Sequence, residues 1–227
     1  MSKTLFIVST PIGNLKDITF RAIETLKEVD FIACEDTRVT SFLLNHFEIK
    51  KEMVSLNAAN ESSKIEYVIN RINSGKNCAL VSDAGTPGIS DPGVRLVSAA
   101  IKNEITIVPI PGVTAAITAL SISGLPTDSF VFEGFLPQKK GRQKKLKEMS
   151  EEKRTIIIYE STYRIEKLLN ELSEYMPERI IVIARELTKK FEEVWRGTPT
   201  EVLNSLKDKT IKGEFVVVIS PLDWKEK

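Results

Sequence analysis

Short β-branched runs and amphipathic segments alternate through the first half of the chain. The apolar runs predict strands at residues 5–9, 31–34, 78–82 and 105–109. Apolar residues at helical spacing predict helices at 19–27, 38–46, 62–73, 94–102 and 113–121. Strands that alternate with helices are typical of a mostly parallel sheet, so residues 1–120 are predicted to form an α/β domain.

The alternation restarts after Gly124. Strands are predicted at 130–135, 155–159, 180–184, 193–195 and 215–219, and helices at 143–152, 162–175 and 199–206. This second series predicts a second α/β domain over residues 121–227, with the boundary near residue 120. The predicted fold class is therefore α/β, with two α/β domains and a mostly parallel sheet in the first.

Composition narrows the class of protein. A chain of 227 residues with 42% hydrophobic and 28% charged residues is ordinary for a globular protein, and its formal net charge of +1 excludes a protein that is basic throughout. Cys34 and Cys78 are isolated and there is one histidine, so neither a metal site nor a disulfide is expected. Without a long apolar segment or a signal-peptide pattern, the chain is expected to be cytoplasmic, with no membrane contact.

One loop has an unusual composition. Residues 82–93, SDAGTPGISDPG, contain three glycines, two prolines and two aspartates directly after an apolar run. The loop lacks both the lysine of a Walker loop and the G-x-G-x-x-G spacing of a dinucleotide site. Asp83 and Asp91 would repel phosphate but can bind hydroxyl, amino or ammonium groups. The loop thus favours a ligand with polar ends and little phosphate; the alternative is a plain strand-to-helix connection.

Two further loops follow predicted strands of the same half. They are 10–14 (TPIGN) and 109–115 (PIPGVTA). Because ligands of open parallel sheets sit outside the carboxyl ends of the strands, all three loops are expected to converge on one crevice. The alternative for Pro111 and Gly112 is an ordinary turn into a helix.

A basic run occupies residues 138–147, QKKGRQKKLK. Six of its ten residues are basic and none is acidic. Lysines and arginines in such a run can neutralise RNA phosphates and release counterions, although a solvated helix start has the same composition. Other charged residues follow predicted strands, in segments 35–38 and 185–192, where they are expected to face the crevice or a partner.

Five segments together resemble the tetrapyrrole methylase superfamily. They are 10–19 (TPIGNLKDIT), 34–38 (CEDTR), 82–93, 111–115 (PGVTA) and 132–137 (FEGFLP). The chain is most similar to the bacterial branch that methylates a cytidine ribose 2′-hydroxyl in 16S ribosomal RNA of the small subunit. The resemblance implies S-adenosylmethionine bound in a cleft between two α/β domains, and a homodimer. The sequence ends at Lys227 without the small tail domain of longer members, so any RNA contact made by that tail is expected to be absent or replaced.

The resemblance also implies site residues, transferred by position. The cofactor-binding residues that it implies are Pro11, Asp83, Gly85, Thr86, Pro87, Gly88, Thr114, Ala115, Glu160, Ser161 and Ala184. Methyl transfer is an in-line displacement that chiefly needs alignment and exclusion of water, helped by an acceptor for the hydroxyl proton. The candidate catalytic residues are Glu186, Lys189 and Glu35, and the candidate RNA-binding residues are Arg38, Lys139, Lys140, Arg142 and Arg185.

Two other functions fit the same residues. One is a methyltransferase of this fold that acts on a small molecule or a protein side chain. The other is a non-enzymatic RNA-binding protein of ribosome assembly that uses the basic run. Binding of S-adenosylmethionine separates the second alternative from an enzyme, and the nature of the methyl acceptor separates the first.

Overall fold

A computed structural model of the protein describes residues 3–57, 61–207, 209 and 211–225. The chain divides into two compact units, Met1–Thr114 and Ala115–Lys227, which we call unit 1 and unit 2. This division places residues 115–120 in unit 2, whereas the sequence predicts a domain boundary near residue 120. Each unit contains its own five-stranded sheet with helices, which confirms the predicted α/β class.

Unit 1 is built on a fully parallel sheet in the order β3-β2-β4-β1-β5. Its strands are β1 (Thr4–Val8), β2 (Phe31–Cys34), β3 (Glu52–Ser55), β4 (Cys78–Val81) and β5 (Thr106–Ile110). Its helices are α1 (Phe20–Glu28), α2 (Thr37–His46), α3 (Glu61–Asn73) and α4 (Val94–Lys102), preceded by a 3-10 turn at Leu15–Asp17. The parallel sheet predicted from the alternating pattern is confirmed.

Burial explains why the strands of unit 1 form where they do. All four residues of β2 and all four of β4 are buried, as expected for central parallel strands that are covered by helices on both faces. Phe31 and Leu80 belong to one core cluster, while Ile32 and Val81 belong to another, so successive residues supply two apolar layers. Strand β3 was not predicted, because it is a short edge strand with little apolar sequence (EMVS).

Unit 2 contains a mixed sheet in the order β6-β7-β10-β8-β9. Its strands are β6 (Phe130–Phe135), β7 (Thr155–Ser161), β8 (Ile181–Arg185), β9 (Glu193–Gly197) and β10 (Glu214–Ile219). Its helices are α5 (Ala115–Ser121), α6 (Arg142–Ser150), α7 (Ile165–Tyr175) and α8 (Pro199–Ser205). Only the β6–β7 pair is parallel, and β10 pairs antiparallel with both β7 and β8.

The strand directions decide which residues share an edge of the second sheet. Because β7 and β8 both oppose β10, they run in the same direction as each other and as β6. The carboxyl ends of these three strands, at Phe135, Ser161 and Arg185, therefore lie at one edge, together with the start of β10 at Glu214. The basic run follows β6 and begins at this same edge.

The described part of the chain contains neither a membrane-spanning helix nor a metal-binding cluster. None of its helices is both long enough and apolar enough to cross a lipid bilayer. Among the same residues, no group of three or more histidine, cysteine, aspartate or glutamate side chains is placed to hold a metal ion.

Candidate functional site

Two of the three loops of unit 1 are joined at the carboxyl edge of its sheet. Strand β1 lies between β4 and β5, so the loops that leave these strands begin side by side. The Thr10 amide donates to the Gly85 carbonyl at 2.9 Å, and the Gly85 amide donates to the Thr10 carbonyl at 3.0 Å. The Thr10 hydroxyl also donates to the Ser82 carbonyl at 3.1 Å. The first loop, residues 10–14, and the loop at residues 82–93, which we call the aspartate-rich loop, are thus fixed to each other by backbone pairing.

Two hydroxyl groups connect the third loop, residues 109–115, to the other two loops. The Ser9 and Thr86 hydroxyl oxygens are 2.9 Å apart, and the Thr86 hydroxyl donates to the Val113 carbonyl at 3.2 Å. Gly112 lies so close to Ser9 that a Cβ at this position would be 2.8 Å from the Ser9 Cβ. The structure thus brings all three loops together, and Gly112 permits the contact.

The end of the aspartate-rich loop also depends on a glycine. Gly93 has a φ of +129°, and a Cβ there would lie 2.8 Å from Cδ2 of Leu80 in β4. Only glycine combines this backbone conformation with this close approach, so the loop returns tightly over its own strand before α4 begins.

Two carboxyl groups beside this loop cluster are partly desolvated. Burial is the main cause that raises the pKa of Asp83, and its Oδ1 accepts a hydrogen bond from the Asp36 amide at 3.0 Å. Burial also raises the pKa of Glu35, and repulsion from Asp83 and Asp91 adds to this effect. Carboxylates that have lost water gain most from a ligand that donates hydrogen bonds or carries positive charge.

Arg38 lies at the start of α2 in the same unit. Its guanidinium donates to both carboxylate oxygens of Asp36 while its side chain stays 89% exposed. The hydrogen bonds from Arg38 lower the pKa of Asp36 to about 2. Arg38 is therefore a surface cation that is already oriented by a neighbouring acid.

In unit 2, Glu186 and Lys189 form an ion-pair network with the start of β10. The Lys189 ammonium is 2.9 Å from both Glu186 Oε1 and Glu214 Oε2, and Glu186 Oε1 also accepts from the Glu214 amide at 3.0 Å. Burial opposes the charge on Glu186, but these hydrogen bonds outweigh it and lower its pKa. Burial likewise opposes the charge on Lys189, yet its two carboxylate partners raise its pKa. Neither group is poised to accept a proton, because the carboxylate and the ammonium are held together as an ion pair.

Two other residues at this edge are buried, and a third, Arg185, pairs within unit 2. Ala184 is buried within β8, and Glu160 is buried at the end of β7, where it accepts from the Ser161 amide at 2.8 Å. Arg185 pairs with Glu193 at 2.7 Å and donates to the Lys212 carbonyl. The structure therefore gives Arg185 a partner within unit 2, and it leaves Ala184 and Glu160 almost no exposed surface.

The basic run divides into four exposed lysines, one buried arginine and the half-buried Lys145, which pairs with Glu133 at 2.7 Å. Arg142 is only 3% exposed, and its guanidinium donates to both Glu171 oxygens and to the Pro137 carbonyl. A phosphate would have to displace Glu171, so the expected RNA contact of Arg142 is replaced by a structural role. Lys139 and Lys140 are exposed beside a depression of about 650 Å³ that Lys144 and Lys167 also line.

Comparison with known proteins identifies the family. A family model described as tetrapyrrole (corrin/porphyrin) methylases matches residues 4–203. The chain belongs to the tetrapyrrole methylase family. This confirms the resemblance that the five sequence segments indicated.

Among tetrapyrrole methylases, curated relatives share about half of the sequence. The chain is 51% identical over 217 residues to the ribosomal RNA small subunit methyltransferase I of Halalkalibacterium halodurans, covering 95% of this chain and 75% of that protein. It is 49% identical over 218 residues to the protein of the same name from a Synechocystis species, covering 95% and 78%.

Solved structures of tetrapyrrole methylases share the fold at low identity. A cobalt precorrin-4 methyltransferase matches with a TM-score of 0.73 and 17% identity, covering 96% of this chain and 95% of that chain. A uroporphyrin-III C-methyltransferase from Thermus thermophilus, crystallised with S-adenosylhomocysteine, matches with a TM-score of 0.67 and 16% identity, covering 96% and 98%.

The sequence did not predict two residues that hold candidate site residues in place. Ser9 ties two loops of the first unit, and Glu171 holds Arg142. Ser9 could have been predicted, because it is a hydroxyl residue directly after strand β1. No local signal marks Glu171, because it lies 29 residues from its partner.

Proposed function

We propose that this tetrapyrrole methylase transfers the methyl group of S-adenosylmethionine to ribosomal RNA of the small subunit. The observation that carries the proposal is the identity of about one half, over 95% of the chain, to proteins named ribosomal RNA small subunit methyltransferase I. The Thermus thermophilus neighbour, which holds S-adenosylhomocysteine, supports S-adenosylmethionine as the methyl donor.

The finer assignment follows the motifs of the sequence. We propose a cytidine ribose 2′-hydroxyl of 16S ribosomal RNA as the acceptor, because segments 10–19 and 82–93 resemble the branch with that activity. An enzyme with this acceptor works in the cytoplasm, where ribosomes are assembled. The homodimer implied by the resemblance stays a prediction, which sedimentation equilibrium of the purified protein would test.

The joined loops of unit 1 are the proposed cofactor contacts. The residues are Pro11, Asp83, Gly85, Thr86, Pro87, Gly88 and Thr114. The expected cofactor contacts of Ala115 and Ser161, which belong to unit 2, stay predictions. The donor set fits the cofactor, because the desolvated Asp83 carboxylate can accept from ribose hydroxyl or ammonium groups and the loop backbone offers amides and carbonyls. When bound, the cofactor supplies a methyl group on a sulfonium. The loops align it and exclude water.

Changing Asp83 to asparagine should separate cofactor binding from stability. Asparagine keeps Oδ1 as the acceptor for the Asp36 amide but removes a charge that burial disfavours. We expect the unliganded melting temperature to stay equal or rise, while the Kd for S-adenosylmethionine increases about 10- to 100-fold, as for loss of a hydrogen bond to a charged group. Isothermal titration calorimetry measures the Kd, and Asp128→Asn, at an exposed aspartate, is the control. An unchanged Kd would remove Asp83 from the cofactor site.

Glu35 is the proposed acceptor for the hydroxyl proton. Its pKa is raised, which makes the carboxylate a better base than an exposed one, and it lies at the end of β2 beside Asp83 in the sheet order. Most of the rate enhancement is expected from alignment, with Glu35 adding to it as the oxygen attacks the methyl group.

The exposed lysines of the basic run are the proposed RNA contacts, with Arg38 as a further cation. We expect the triple variant Lys139→Ala, Lys140→Ala, Lys144→Ala to bind small-subunit RNA more weakly and to reduce the slope of log K against log salt by about 0.7 for each lost phosphate contact. Filter binding at several salt concentrations measures this slope. Lys16→Ala, Lys27→Ala, Lys102→Ala removes the same charge from exposed positions of unit 1. Equal slopes for the two triple variants would return the run to an ordinary solvated surface.

Labelled methyl transfer tests the function as a whole. Purified protein with radiolabelled S-adenosylmethionine should label 16S RNA, free or in small subunits, at a ribose 2′-oxygen found by nuclease digestion and mass spectrometry. Label found instead in small molecules or protein would replace the RNA acceptor. The absence of any S-adenosylmethionine binding would favour a non-enzymatic RNA-binding protein.

A further inference from the structure

Three aromatic rings cluster at the edge of the second sheet. The centroid of the Tyr159 ring lies 4.9 Å from that of Phe132 and 5.7 Å from that of Phe135, both in edge-to-face geometry. Phe135 pairs with Tyr159 in the β6–β7 register, yet it remains 50% exposed. A large ring held against other rings but half open to solvent is available to a further flat group.

A fixed cation flanks the exposed ring. The Arg164 guanidinium carbon is 5.6 Å from the centroid of Phe135. Its Nε is 2.8 Å from the buried Glu160 carboxylate and donates to the Ser161 hydroxyl at 3.2 Å. The buried Glu160 thus holds Arg164 beside the Phe135 ring.

The rings lie between two other features of unit 2, the start of α5 and the basic run. On one side, the Tyr159 hydroxyl accepts from the Ala116 amide at 3.1 Å, next to the predicted cofactor contact Ala115. On the other side, the chain runs from Phe135 through Pro137, whose carbonyl is held by Arg142, to the exposed Lys139 and Lys140. An RNA strand whose phosphates contact these lysines can therefore place a base against the Phe135 ring.

We propose that Phe135, supported by Tyr159 and flanked by Arg164, stacks against an unpaired base of the substrate RNA. Unpaired bases offer flat π-faces that bind aromatic rings and arginine planes whatever their sequence, and nearby cations supply the complementary charge. This inference rests on the proposed RNA methyltransferase function and adds the surface that positions the nucleotide.

Three substitutions of Phe135 test stacking against mere packing. Phe135→Ala and Phe135→Leu should each weaken the binding of transcribed 16S RNA at least about fivefold, because neither offers a ring. Phe135→Trp should retain the affinity, and its added fluorescence should be quenched when the RNA binds. The slope of affinity against salt should stay that of the wild type in all three, since no phosphate contact is lost. Phe130→Ala removes a 37% exposed phenylalanine from the opposite end of the same strand and is the matched control.

The outcomes separate this inference from the proposed function. If the wild type methylates 16S RNA while Phe135→Leu binds RNA as well as the wild type does, the stacking surface is wrong and the methyltransferase stands. If Phe135→Leu and Phe130→Ala weaken binding equally, or the salt slope falls with Phe135→Ala, the stacking proposal is also overturned. If the wild type neither binds S-adenosylmethionine nor labels RNA, the proposed function itself fails.

Discussion

Replacing Arg142 by methionine is expected to destabilise unit 2 by about 3 kcal/mol, the lower end of the cost of breaking a buried ion pair from one side, because Glu171 is partly exposed. The guanidinium is hydrogen-bonded to Glu171 at 2.6 Å and lies 4.0 Å from the buried Glu160. Methionine keeps the length and helix propensity of the side chain but removes the nearest cation of Glu171, which leaves that carboxylate with Lys167 at 3.8 Å. Glu160 keeps Arg164 at 2.8 Å. Both tryptophans, Trp195 and Trp224, belong to unit 2, so tryptophan fluorescence during urea unfolding reports on the affected part.

Two further variants make the Arg142 result interpretable. Lys144→Met, at an 83% exposed position of the same helix, should change the unfolding free energy by no more than about 0.5 kcal/mol. Arg142→Met combined with Glu171→Met should recover part of the loss, because an apolar pair replaces a partly buried acid that has lost its nearest cation. An Arg142→Met midpoint equal to that of the wild type would show that the pair contributes nothing net and would return Arg142 to the RNA-contact candidates.

The basic run shows which structural features its sequence could predict and which it could not. Charge alone predicts that all six basic residues of the run lie on one exposed surface. Helical spacing carried a finer signal, since Arg142, Leu146 and Met149 are at positions i, i+4 and i+7 and form the buried face of α6. That spacing predicts a buried Arg142, but not its partner. Glu171 lies on another helix, and only the tertiary fold brings the two together.

The first sheet was more predictable than the second. In unit 1, uninterrupted apolar runs such as β2 and β4 mark buried parallel strands, and parallel strands place their exit loops at one edge, so the meeting of the three loops followed from the sequence. In unit 2, the antiparallel pairing of β10 between β7 and β8 is a choice of partners that no single segment encodes. The sequence places Glu186 and Lys189 directly after β8, but it does not predict their contacts with Glu214, which lies 25 residues beyond Lys189.

Changing Glu35 to glutamine is expected to lower the rate of methyl transfer about 100-fold, the lower end of the contribution of a positioned general base. Glutamine has nearly the same size but cannot accept the hydroxyl proton. Because Glu35 should act on the chemical step, the Kd for S-adenosylmethionine should stay unchanged. Single-turnover methylation of 16S RNA measures the step directly, and Glu24→Gln, at an exposed position of α1, is the control.

The pH dependence gives the Glu35 experiment its sharper test. A base must be ionised, and burial together with Asp83 and Asp91 raises the pKa of Glu35 above the ordinary 4.5. The wild-type rate should therefore rise with pH through that raised pKa and then level off, whereas the Glu35→Gln rate should stay low and lack this rise. A second variant, Asp91→Asn, removes one of the repelling charges and should move the rise to lower pH. If Glu35→Gln keeps the wild-type rate and profile, alignment by the loops suffices for methyl transfer and no carboxylate need take the proton.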